Sequence, residues 1–234
     1  MRSRALRQWV GVHDGNMRGH ASTSIAGVDG CRRGWVVAHA GGVEIVATLA
    51  PLLDRFDVIG IDMPIGLPAS WRRVADVEAR RFLTGRGSTV FPVPPRALLA
   101  HTAYADANAA SRRAFGQGLT RQTFNLFPKL REVDAQDDET LRHVLVEIHP
   151  ECAFARLAGA PLPPKRSPEG RRIRRALAHR VLGLDPPRPT GAAEHDVLDA
   201  CAVLWSARRY AAGASVAFGG GEVDERGLPM RIVS

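Results

Sequence analysis

Cysteine is scarce in this 234-residue chain: there are three, Cys31, Cys152 and Cys201, far apart and without a CxxC pair. That count and spacing exclude a disulfide framework and a zinc ribbon. Long apolar runs are also missing. No stretch of 18 apolar residues occurs, so no membrane-spanning helix is expected. The opening residues are basic but lack an apolar centre, which argues against a secretory signal and makes the cytoplasm the expected location. Several nucleotide and nucleophile signatures are absent. Gly27 and Gly30 do not complete a dinucleotide fingerprint, and Gly219 to Gly221 precede no Lys-Ser or Lys-Thr pair. No GxSxG elbow occurs. Neither an internal repeat nor a low-complexity tract is present.

What is there suits a folded domain. Apolar residues make up 45% and charged residues 24%, enough to build a core. The formal net charge is +8, carried far more by arginine than by lysine. A basic balance favours polyanionic partners, nucleic acid above all, although an arginine-rich composition alone would give the same figure.

Folding signals begin at Ser24. An apolar run ends in Asp29, and two β-rich runs follow around Gly41-Gly42, which predicts a hairpin. A second buried strand ends at Asp62 and is closed by Pro64, Gly66 and Pro68. Residues 70–83 read as a helix capped by Ser70. The loop 85–96 is rich in Gly and Pro, and residues 97–115 are Ala-rich and helical. Residues 145–151, VEIHPE with its preceding Leu, read as a strand. Residues 171–184 form a basic amphipathic helix stopping near Gly183, and residues 193–212 form the clearest helix of all. The end of the chain reads as a hairpin turning at Gly219 to Gly221. The order predicts an α/β fold with a mixed sheet. The expected organisation is an extension over residues 1–23 and one domain over 24–234, with a helical insertion at 69–144.

The informative residues are acidic. Asp29 and Asp62 stand at the carboxyl ends of apolar strands, where a carboxylate is costly unless paired or bound to a cation. Open α/β sheets bind ligands at such ends. Asp196 and Asp199 lie three apart and share a helix face. Four convergent carboxylates offer hard oxygen ligands suited to Mg²⁺ or Mn²⁺. Each has a structural alternative, as a turn cap or as a charge favourable in a first helical turn.

Taken together, GVDGCRRGWVVA, IGIDMPIGLP, STVFPVPPR, QTFNLFPK, VEIHPE and HDVLDA resemble an uncharacterised family of expected nucleases, domain of unknown function 429. Their order is similar to the ribonuclease H-like superfamily, and the final D-x-x-D-A helix to that of Holliday-junction resolvases. The resemblance implies three antiparallel strands followed by parallel ones, flanked by helices. It also implies that Asp29, Asp62, Asp196 and Asp199 ligate the metal of a phosphodiester hydrolase acting on DNA or RNA. The alternative is a non-catalytic nucleic-acid-binding protein on the same fold.

Further candidates surround these four. Strand alternation would put Glu147, His149 and Glu151 on one face, and Glu147 and Glu151 are expected to complete the acidic site. Arg96 offers a planar fork for phosphate. Gln122 and Lys129 are expected substrate contacts, with Phe124 and Phe127 more in keeping with a core. Lys165 opens a basic run, through Arg175, that would grip a phosphate backbone or simply form a solvated helix face.

Overall fold

The structure is a computed structural model that describes residues 23–234. The extension expected over residues 1–23 therefore lies, but for its last residue, outside the described residues. The chain opens with β1 (Ile25–Cys31), β2 (Gly34–His39) and β3 (Gly42–Val46), a single helical turn α1 (Ala50–Leu53), and β4 (Val58–Ile61). An insertion follows. It holds α2 (Val74–Phe82), 3-10 turns at Gly87–Thr89 and Arg96–Ala100, α3 (Tyr104–Phe115), α4 (Arg121–Asn125), α5 (Phe127–Asp134) and α6 (Asp138–His143). The chain returns through β5 (Leu145–Glu147) to α7 (Pro150–Ala158), α8 (Pro168–Leu182) and α9 (Glu194–Ala211). A hairpin of β6 (Ala217–Val223) and β7 (Pro229–Val233) ends it.

β1 to β5 form one mixed sheet in the order β3-β2-β1-β4-β5. The pairs β1–β2 and β2–β3 are antiparallel, while β1–β4 and β4–β5 are parallel. The expected mixed α/β sheet flanked by helices is present. The centre of the sheet is buried on both faces, which is why β1 and β4 read as continuous apolar runs rather than alternating ones. One face packs on the insertion through Leu98, Phe127 and Leu130, and the other on α7, α8 and α9.

α9 lies directly on β1. A Cβ at Gly27 would stand 2.1 Å from the backbone nitrogen of Leu204. Only glycine permits this approach, and it fixes how far along α9 the end of β1 reaches.

Four local expectations differ from the structure. The helix expected from Ser70 starts at Val74, after Arg73, and has no side-chain cap. Arg73 is held extended because its side chain is committed to a buried ion pair. The Ala-rich stretch is broken at His101, leaving a 3-10 turn before α3. The strand expected over residues 145–151 ends at Glu147, and Pro150 starts α7, so strand alternation does not carry Glu151. The three glycines 219–221 lie inside β6, where the register to β7 shifts, and the turn falls at 224–227. Asp224 builds that turn by accepting from the N–H groups of Arg226 and Leu228. Gly183 does end α8, in the left-handed conformation (φ 76°).

Candidate active site

The parallel strands β1 and β4 lie side by side, so residues just past their carboxyl ends are neighbours. Asp29 is near the end of β1, and Asp62 follows β4 immediately. The close seat of α9 on β1 brings Asp199 to the same place. These three carboxyls line one cleft of about 430 Å³. Asp29 and Asp199 are almost wholly buried, and Asp62 is partly so.

The cluster is short of positive charge. Burial, with repulsion from Asp62 and Asp199, raises the Asp29 carboxyl well above the usual range. Burial and the charge of Asp199 push Asp62 up to about 8. Burial raises Asp199 as well, against the pull of Lys165. Lys165 Nζ, 3.0 Å from Asp199 Oδ2, forms the ion pair recorded for these three carboxylates. Asp29 Oδ1 accepts from the Gly30 N–H at 2.7 Å. The other oxygen of Asp199, Oδ1, is buried with no hydrogen-bond partner.

Lys129 approaches from the insertion. Its stem packs against the bare Cα of Gly30, where a Cβ would stand 2.7 Å from the lysine Cδ. Its ammonium lies 3.9 Å from the centre of the Trp35 ring and donates to the Gly34 carbonyl. Burial lowers its pKa from the ordinary lysine value.

Glu147 and Glu151 also line the cleft, but each is held by an arginine. Arg73 Nη2 lies 2.8 and 2.9 Å from the two oxygens of Glu147, and the Ile65 N–H donates to the same carboxylate at 2.8 Å. Burial pushes Glu147 up to about 7 against the pull of Arg73. Arg174 Nη2 stands 2.9 and 2.7 Å from the oxygens of Glu151. Both arginines are 1% exposed, so these are interior pairs and not surface decoration.

The remaining expected residues separate. Gln122 and Lys165 line the cleft with Lys129. Asp196 is not among the lining residues. It sits one turn back on α9, where its Oδ2 accepts from the Ala193 N–H at 3.0 Å and its charge is felt at Asp29. Arg96 does not line the cleft either. Its guanidinium is engaged by Asp224 and Asp134, which tie the insertion to the β6–β7 turn. In the basic run, Arg174 is buried, Arg175 pairs with Glu194 at 2.8 Å, and Arg171 donates to the Arg166 carbonyl. The run therefore does not present an unbroken cationic row. Phe127 belongs to the core and Phe124 packs against it. The three cysteines are free and buried.

The sequence matches the family described as Protein of unknown function (DUF429) over residues 27–223. The chain belongs to that family. No curated protein and no solved structure matches it. Among the described residues no helix is long and apolar enough to cross a membrane.

Two features of this DUF429 chain escaped the sequence reading. The arginine partners Arg73 and Arg174 are invisible as such, because their glutamates lie 74 and 23 residues away. A plainer signal was available for the lysines. The whole chain has only two, Lys129 and Lys165, and both line the cleft. In a chain that uses arginine almost everywhere else, this marks positions that suit a compact ammonium and not a planar fork.

Proposed function

We propose that this chain is a divalent-metal-dependent hydrolase of phosphodiester bonds in nucleic acid, built on a ribonuclease H-like sheet. The observation that carries the reading is the trio Asp29, Asp62 and Asp199 at the carboxyl ends of parallel strands, with the buried, unpartnered Oδ1 of Asp199. A buried carboxylate oxygen without a partner is costly, and a cation is the simplest group to satisfy it. The donors are all hard oxygens, which suits Mg²⁺ or Mn²⁺. The strand order β3-β2-β1-β4-β5, three antiparallel strands and then two parallel ones, supports the superfamily reading.

Asp29, Asp62 and Asp199 would hold the ion. Such an ion lowers the pKa of a bound water and offsets charge on the leaving oxygen. Lys165 and Lys129 sit where phosphate oxygens would arrive, as point charges without a fixed hydrogen-bond fork. Glu147 and Glu151 support the cleft wall through Arg73 and Arg174. Asp196 holds the start of α9, and so the position of Asp199.

The test is hydrolysis of single-stranded and duplex DNA and RNA with Mn²⁺ or Mg²⁺. Asp29→Asn and Asp199→Asn are each expected to lose at least about 100-fold in rate, as for loss of a preorganised electrostatic group. A purified protein that cuts none of these substrates, or an Asp29→Asn variant that cuts as well as the parent, overturns the reading.

One observation favours the alternative of a non-catalytic nucleic-acid-binding protein. Among the described residues no three His, Cys, Asp or Glu side chains are gathered closely enough to grip an ion as they stand, and Lys165 already touches Asp199. Calorimetric Mn²⁺ binding that disappears in Asp199→Asn decides against that alternative.

A further inference from the structure

The same cleft holds a second set of residues that the hydrolytic reading leaves unused. Arg86, Ser88, Thr89, Phe91 and His149 form it. Two of these carry buried nitrogens with no partner, Arg86 Nε and His149 Nδ1. His149 otherwise makes a 3.3 Å contact to the Thr89 carbonyl through Nε2. Phe91 is half-buried in the wall and belongs to none of the apolar clusters of the core. An aromatic face beside unused ring and guanidinium nitrogens is the chemistry that recognises a nucleobase, by stacking and by contacts to its edge.

Size narrows the ligand. A volume of about 430 Å³ falls in the range of pockets that enclose one small molecule. Two segments of the insertion line it, one through Asn125, Leu126 and Lys129 and the other through the 86–93 loop. A space of that size encloses one nucleotide and not a length of double helix. A second, smaller cavity of about 140 Å³ adjoins the cleft and shares Lys165 with it. Lys165, Arg166 and Arg171 line it against one carboxylate, Glu194, so cations outnumber the acid and the recess suits a phosphate.

We propose that the cleft receives the terminal nucleotide of a single strand, its base against Phe91 and its phosphate at the lysine and carboxylate end, while the next phosphate of the strand rests in the recess beside Arg166 and Arg171. This inference rests on the nucleic-acid reading above and makes it narrower: the substrate is a strand end, not an internal bond of a duplex.

Calorimetry without added metal tests the two halves separately, with nucleoside 5′-monophosphates, ribose 5-phosphate and 5′-phosphorylated dinucleotides as probes. The monophosphates are expected to bind at least about tenfold more tightly than ribose 5-phosphate, as a stacked base should. Phe91→Ala removes that advantage. Arg166→Ala/Arg171→Ala weakens the dinucleotides severalfold and leaves the monophosphates unchanged. Equal binding of nucleotide and sugar phosphate, or a Phe91→Ala variant that binds as the parent does, overturns the proposal. Dinucleotides that bind no better than monophosphates overturn the strand-end form and assign the cleft to free nucleotides.

A second arm uses linear and circular single-stranded DNA with Mn²⁺. Linear strands should be shortened from an end and circles left intact. If circles are cut as fast as linear strands, the strand-end proposal falls while metal-dependent hydrolysis stands. If neither is cut but nucleotides bind through Phe91, the hydrolase reading falls and the binding cleft stands.

Discussion

Six carboxylates line one cleft. Asp76 lies 3.7 Å from Arg73, and the other five fall into two groups. Glu147 and Glu151 each face a buried arginine at hydrogen-bond distance. Asp29, Asp62 and Asp199 crowd together with Lys165 as the recorded ion-pair partner, and its side chain is 41% exposed. The glutamates are neutralised inside the protein by groups that cannot leave. The aspartates share the half-exposed Lys165; burial raises their proton affinities, as it does that of Glu147, and repulsion from neighbouring carboxylates raises them further. One half-exposed lysine does not offset three crowded carboxylates, so stability alone does not favour the second arrangement. Perturbed groups in a cleft are the usual mark of a site kept for a ligand.

The contrast breaks most sharply at Arg174. Arg174→Met should remove the partner of Glu151 and leave a buried carboxylate alone, at a cost of about 3–5 kcal/mol. Denaturant unfolding measures it. The double variant Arg174→Met/Glu151→Gln should recover a large part of that loss, since no charge is then stranded. A single variant that loses less than about 1 kcal/mol would show that the glutamates are no better compensated than the aspartates.

Asp62→Asn should do the opposite and stabilise the metal-free protein. The Asp62 carboxyl is raised in the folded state, to about 8 from an ordinary 3.8. A raised pKa gives stability that is complete below the unfolded value and is lost as pH rises through the folded one. The metal-free parent should therefore lose stability between about pH 4 and pH 8, and the asparagine variant should lose less. Water in the cleft reaches Asp62, so the expected gain at pH 9 is on the order of 1 kcal/mol and not the several that the full shift would imply. Thermal unfolding at pH 5 and pH 9 measures it. A variant less stable than the parent at pH 9 would place Asp62 with the satisfied carboxylates. The same variant should be impaired in Mn²⁺-dependent hydrolysis, the expected trade between stability and function at a site.

Parts of this picture were legible in the sequence, for reasons of local chemistry. Asp29 and Asp62 stood out because each ends an apolar run with a carboxylate, which needs a partner or a cation. Asp199 was legible through helical spacing, but so was Asp196, and spacing could not tell the residue facing the cleft from the one holding the helix end. That distinction depends on Gly27, which lets α9 settle onto β1 at one particular depth. The partners of Arg96 were not legible because they come from α5 and the terminal hairpin. Glu151 was misassigned to a strand because Pro150 reads equally as the end of a strand and as the first residue of a helix. Order and type of elements followed from hydrophobic period, whereas ion pairs between distant segments followed from nothing local.

The smallest expected effect tests the boundary between the two groups. Lys165 pairs with Asp199 much as Arg174 pairs with Glu151, but it is exposed, its stem is flexible, and the second oxygen of Asp199 remains without a partner. With its lysine half-exposed, the pair falls nearer the surface range, about 0.2–1 kcal/mol, than that of Arg174 and Glu151. If Lys165 only occupies the place of a cation, Lys165→Gln should remove a competitor and tighten Mn²⁺ binding, by roughly twofold to fivefold on that scale. Calorimetric titration with Mn²⁺ reads this directly and needs no substrate. If the affinity instead falls, Lys165 is a lasting part of the site, and Asp199 belongs with Glu147 and Glu151 as a carboxylate whose partner the fold already supplies.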